Sequence, residues 1–216
     1  MGTAERRARE KEARRKAILK AARKLFLYRG FLETSMDQIA EECELSKGTL
    51  YLYFKNKEEL ALAIVNQTFD ELLARIKEAT EKARTGLEAL KKVVEAYRRF
   101  YEEHVKEFSF AASLEFLAQK IGVKKESIKA SYTRVDAILA LIIDILKKGI
   151  QDGSIRKDIE PEKAAFAVAN VIKSFLQRMA VGANLLLLGT NFSEQEIIDY
   201  TLSLFLDALS PERSST

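Results

Sequence analysis

From Ser46 the chain reads Ser46-Lys47-Gly48-Thr49-Leu50-Tyr51-Leu52-Tyr53-Phe54-Lys55-Asn56-Lys57. Amines, hydroxyls and phenols are interleaved there with apolar positions. Ser46 suits a helix N-cap, so Lys47 and Thr49 fall in a first helical turn, where side chains and free N–H groups can meet base edges or phosphates. Gly48 removes a side chain where the backbone could approach a partner closely. Tyr51 and Tyr53, two apart, point to different helix faces, which a short core helix has no reason to arrange. On a polyanion each hydroxyl can bond a phosphate while its ring packs on the protein. Lys57 follows where the next helix starts. These groups suit nucleic-acid contact.

Other chemistries lack their parts. Cys43 and His104 are the only residues of their types, which excludes an internal disulfide framework and a zinc-ligand cluster. No nucleophile–base pair or phosphate-cradling loop is visible, so neither an enzyme nor a cofactor or metal is expected. The N-terminus is charged, and no uninterrupted apolar run, Leu185 to Leu188 included, is nearly long enough for a bilayer. A cytoplasmic protein with no membrane partner is expected. The net charge of +4 is unevenly spread: residues 1–57 carry 14 Lys/Arg against 8 Asp/Glu, and the remainder 22 against 24. The positive charge is thus concentrated in the first quarter of the chain, which includes the Ser46 segment, an electrostatic footprint for a polyanion.

Only 2 prolines and 9 glycines interrupt the 216 residues, and the apolar positions recur at helical spacing. A first helix is expected over 5–29, its basic start an arm helical only in part, ending at Gly30 as an αL cap. Thr34 with Asp37 and Ser35 with Gln38 form overlapping capping boxes opening a short helix to about Cys43. After the turn Glu44-Leu45-Ser46 comes the helix to about Phe54. Asn56 with Glu59 opens a long helix to about Lys82. Further helices are expected over 86–103, 106–120, 124–151, 161–188 and 193–209.

Phe26, Gly30-Phe31, Thr34 through Ala40, Leu45 through Phe54 and Asn56 through Leu60 together resemble the DNA-binding domain of the tetracycline-repressor (TetR) family, over about residues 15–62. The fold then implied is all-α: an N-terminal three-helix helix-turn-helix DNA-binding domain followed by a C-terminal helical ligand-binding and dimerisation domain. The expected divisions are 1–56, 57–210 and a flexible tail at 211–216. The resemblance implies that Lys47, Thr49, Leu50 and Tyr51 face the major groove and that Thr34, Ser35, Tyr53 and Lys57 hold phosphates. The arm from Arg6 to Lys16 would add backbone or minor-groove contacts. Cys43-Glu44-Leu45 stands where the family usually has Ala-Gly-Val. Glu44 replaces the turn glycine, so a residue with a side chain is expected in αL, at about 1 kcal/mol.

The resemblance also implies a homodimer built on the last two helices, and the apolar surface of Ile197 through Leu209 agrees. It places a small-molecule effector among the middle helices. Candidate contacts are Phe69, Tyr97, Phe100, Tyr101, Phe110 and Tyr132, with Asn170, Lys173 and Gln177 as polar groups in the mostly apolar 164–188 stretch. Phe108, Phe116, Phe166 and Phe175 share the aromatic pattern. The function expected is a ligand-responsive repressor binding a palindromic double-stranded operator and released by a small, largely apolar or amphipathic effector. The alternative is a nonspecific nucleic-acid-binding helical protein.

Overall fold

The computed structural model describes residues 2–120, 133–181, 187 and 189–211, which among themselves form helices and turns with no strand. Two compact units divide the chain: Met1–Thr68 with Ser113–Ser131, and Phe69–Ala112 with Tyr132–Thr216.

The first unit opens with α1 (Thr3–Arg29). The expectation of a partly helical arm is corrected, because helix runs unbroken from Thr3. Residues 4–14 are exposed and bury no apolar face. Their Ala, Arg, Lys and Glu are strong helix formers, supported by an Arg6–Glu10 pair at 3.4 Å. The buried stripe begins at Ile18 and continues through Ala22, Leu25 and Phe26. Gly30 closes the helix at φ 93°, ψ 158°, a positive-φ conformation open to glycine but outside the αL well expected for it. Next come α2 (Met36–Glu42) and α3 (Lys47–Tyr51). Ser35 and Gln38 make the expected reciprocal capping box on α2. Glu44 sits at φ 54°. The Leu45 N–H donates to Ala40 O and the Glu44 N–H to Glu41 O, both at 2.9 Å. This is a Schellman ending, which demands αL of Glu44. The turn into α3 is therefore fixed by backbone bonds despite the missing glycine. Ile39, Leu50, Phe54, Leu60 and Ile64 are buried. α4 (Lys57–Thr80) starts in this unit and continues into the second.

The second unit contains α5 (Gly86–Glu103), the start of α6 (Val105–Lys120), α7 (Thr133–Gln151), α8 (Pro161–Ala180) and α9 (Glu194–Leu209). The expected 124–132 part of the α7 segment is outside the described residues. So are 182–186 and 188 of the expected α8 extension and residues 212–216 of the tail. α7 is central, packing against both α5 and α8 through buried Ile138, Ile142, Ile145 and Leu146. α5 meets the end of α7 closely: a Cβ on Gly86 would lie 2.2 Å from Gly149 Cα. The turn after α7 caps the start of α5. The Gly86 N–H donates to Asp152 Oδ2 at 2.8 Å and the Leu87 N–H to Ser154 Oγ at 3.0 Å, so two first-turn donors are satisfied. Hydrogen bonding to Ser154, then to the Gly86 backbone, holds the Asp152 carboxyl below its ordinary range.

Candidate nucleic-acid interface and ligand cavity

The direction in which α3 presents itself follows from what it buries. Leu50 and Phe54 are 0% and 1% exposed, and a Phe54 N–H to Leu50 O bond of 3.1 Å carries helical geometry past Tyr51. At about 100° per residue, the side opposite that buried pair belongs to Gly48 and Leu52. Leu52 is 82% exposed, and among the described residues a Cβ on Gly48 would meet nothing within 4 Å beyond its own helix backbone. Tyr51 flanks this outer edge on one side and Thr49 on the other, while Lys47 is exposed in the first turn, further round towards the buried side. Ser46 Oγ accepts from the Thr49 N–H at 3.2 Å, so the cap fixes the first turn.

Beside α3 lies an open depression of about 430 Å³ whose lining includes Thr34, Ser35, Lys47, Tyr51 and Lys57. Five residues expected from the sequence thus surround one hollow. Lys47 reaches Asp37 at 2.7 Å, and that bond holds its ammonium above the usual lysine range. Tyr53 is half-buried on the α3 flank and Thr49 likewise.

Three expected contacts have other tasks. Leu50 faces the core, since the register that exposes Gly48 and Leu52 buries it. Thr34 is 1% exposed, and its hydroxyl donates to Gly30 O at 2.8 Å. Lys57 Nζ donates to Phe31 O at 3.0 Å, Leu32 O at 3.3 Å and Thr34 O at 3.2 Å, and lies 4.5 Å from the Phe31 ring centroid. An ammonium has three N–H donors, and all three are engaged in holding the 31–34 turn. Leu52 was absent from the sequence expectation; counting outward from Leu50 and Phe54 identifies it. Along α1, Arg6, Arg7, Arg9, Lys11 and Arg14 are exposed, whereas the Arg15 guanidinium lies 5.1 Å from the Phe54 ring centroid.

The second unit contains a cavity of about 180 Å³ lined by α4, α5, α7 and α8. Of the effector residues expected from sequence, Phe69, Tyr97, Asn170 and Lys173 line it, with Phe166. Phe100, Tyr101, Phe110 and Gln177 do not, and all four are buried elsewhere. Phe100 and Tyr101 lie one turn beyond Tyr97 on α5, among the rings of His104 and Phe108. Tyr132 is outside the described residues, as is the Phe116 side chain. Much of the wall is aliphatic, Leu90, Val93, Ile138 and Ile142 among it. In a sequence these are indistinguishable from core residues. His104 is away from the cavity, 3.5 Å from Glu71 and 3.8 Å from Glu107.

Residues 18–64 match the family model for bacterial regulatory proteins of the tetR family. YhgD of Bacillus subtilis, described as an uncharacterized HTH-type transcriptional regulator, is 33% identical over 159 residues, covering 72% of this chain and 78% of that protein. The fold is shared with solved structures at lower identity. The ketosteroid transcriptional regulator KstR2 of Mycobacterium tuberculosis superposes with TM-score 0.64 at 21% identity, over 92% of this chain and 96% of its own. The fatty acid degradation regulator FadR of Bacillus halodurans gives TM-score 0.67 at 17% identity, over 89% and 94%. The chain belongs to the TetR family of bacterial regulatory proteins. It is a DNA-binding transcriptional regulator and not an enzyme.

Proposed function

We propose that the protein is a cytoplasmic, ligand-responsive repressor that binds a palindromic operator as a homodimer and is released by a small, largely apolar effector. The observation that carries this reading is the outer edge of α3. A helix whose exposed side consists of a glycine and one aliphatic residue, flanked by Thr49 and Tyr51 and with Lys47 exposed in its first turn, can enter a major groove closely. Leu52 suits the thymine methyl group, Lys47 suits guanine or phosphate, and Ser35 and Tyr53 suit the backbone. Lys57 and Thr34 keep the adjoining turn in place.

A homodimer is supported by apolar side chains left exposed on the last helices: Val171 on α8, Tyr200 and Leu204 on α9. A second copy covering them would pair two reading heads and supply the effective concentration that one short helix lacks. Effector release is supported by the apolar cavity and by α4, which bears Lys57 at one end and Phe69 on the cavity wall. An effector that binds one of two α4 arrangements more tightly shifts the operator-competent population.

Selection from a random duplex pool with the purified protein tests the reading. The expected product is an inverted repeat bound by two chains, with half-sites about one helical turn apart. Recovery of unrelated sequences with equal affinity would leave a nonspecific nucleic-acid binder instead.

A further inference from the structure

The cavity wall is apolar through Phe69, Leu90, Val93, Ile138, Leu139 and Ile142. Tyr97 lines it too, yet its hydroxyl makes no hydrogen bond with any described residue. Tyr97 is half-buried, and a phenol that faces an apolar wall without a protein partner is a donor left available to a guest. Burial pushes this phenol above its ordinary value, so it is neutral and ready to donate.

The remaining polar groups narrow the choice. Asn170 Nδ2 donates back to Phe166 O at 2.8 Å, so that amide hydrogen is spent within α8. Asp136 and Lys173 place one charge of each sign on the lining, which leaves it without formal net charge for an ionic ligand. A charged guest would lose hydration against this largely apolar wall, whose two opposite charges offer no net attraction to either sign. Size sets the last limit. A cavity of roughly 150 Å³ lined by aliphatic and aromatic side chains accommodates benzene, and this one measures about 180 Å³.

We propose that the cavity takes an uncharged molecule the size of one six-membered ring with a short substituent, anchored by a hydrogen bond from the Tyr97 hydroxyl to an acceptor such as a ketone or ester carbonyl. This assignment rests on reading the cavity as the effector site, and the two fail separately. Tyr97 then sets ligand specificity, while the aliphatic wall supplies affinity without discrimination.

Calorimetric titration of the full chain with acetophenone, ethylbenzene and benzoate tests it, on wild type and on Tyr97→Phe. Ethylbenzene matches acetophenone in shape without the carbonyl. Wild type is expected to bind acetophenone about five- to tenfold more tightly than ethylbenzene, and benzoate more weakly than acetophenone. Tyr97→Phe is expected to bring acetophenone and ethylbenzene within about twofold, with ethylbenzene retained. Ala169→Leu, which adds bulk to the lining, is expected to weaken both neutral probes. Equal wild-type affinities, a ketone preference surviving in Tyr97→Phe, tighter benzoate binding, or no binding of any probe would each overturn the proposal. Operator affinity measured under saturating acetophenone separates the two ideas. An unchanged value with the Tyr97 signature intact sinks the effector reading and leaves the binding site standing.

Discussion

Replacing Glu44 with glycine isolates one cost stored in the reading head. Glu44 is exposed and held at φ 54° by the two 2.9 Å Schellman bonds between α2 and the turn. Placing a residue with a Cβ in αL costs roughly 1–2 kcal/mol, which Glu44→Gly removes. Glycine gives back roughly 0.5–1 kcal/mol through its greater freedom in the unfolded chain. The net expectation is a gain of about 0.5–1 kcal/mol. Glu44→Ala is the control: it removes the same carboxylate and keeps the Cβ, so its stability should stay within about 0.5 kcal/mol of wild type. Urea unfolding of the three proteins reads the effect as a midpoint shift at constant slope. Because both variants lose one negative charge, any electrostatic gain in DNA affinity is common to both, and their difference reports the backbone alone. Glu44→Gly no more stable than Glu44→Ala would show that the turn holds no such strain.

The helix contacts behind the two sites give further expectations. Gly86→Ala should cost about 3 kcal/mol or more, because its Cβ would meet Gly149 Cα at 2.2 Å and the backbone of α5 or α7 must shift; chemical denaturation measures this. Lys57→Met leaves the carbonyls of Phe31, Leu32 and Thr34 without their donor. It should lower stability by about 1–2 kcal/mol, seen in thermal unfolding without DNA, which a purely phosphate-binding lysine would not do. Asp152 has a carboxyl pKa below its unfolded value of 3.8. Its contribution is fully present above that value and is lost as pH falls through the lower folded pKa. The stability gap between wild type and Asp152→Ala should therefore be full at pH 7 and shrink on acidification below about 4. A gap independent of pH would mean that the carboxylate charge has no part in capping α5.

The elements that carry strong local signals were legible in the sequence. Ser35 with Gln38, Ser46, Pro161 and Ser193 with Glu196 all mark helix starts seen in the structure, because capping depends on a few adjacent atoms. Glu44 was legible for the same reason: the turn demands αL whichever residue occupies it. The arm of α1 is fully helical where a partly helical one is expected, because the helix propensity of its Ala, Arg, Lys and Glu outweighs the lack of a buried face. The structural task of Lys57 was not legible, because a lysine at a helix start looks alike whether its ammonium faces water or three carbonyls 23 to 26 residues away. That distinction exists only in the folded turn. In the cavity, Tyr97 was recognisable as an aromatic residue at helical spacing, but so were Phe100 and Tyr101. Which of them line empty space depends on how α5 packs against α7 and α8, and periodicity contains no such information.

Gly48→Ala is the most direct test that the outer edge of α3 reads the operator. Among the described residues nothing outside the local helix backbone lies within 4 Å of the added Cβ, and alanine favours helix over glycine by about 0.5–1 kcal/mol, so the free protein should become slightly more stable. Affinity for the selected operator should nevertheless fall at least tenfold, with binding to shuffled duplex at the same salt unchanged, because the methyl group holds α3 away from the base edges. A variant that binds the operator as tightly as wild type would contradict the account and move the reading surface away from Gly48 and Leu52.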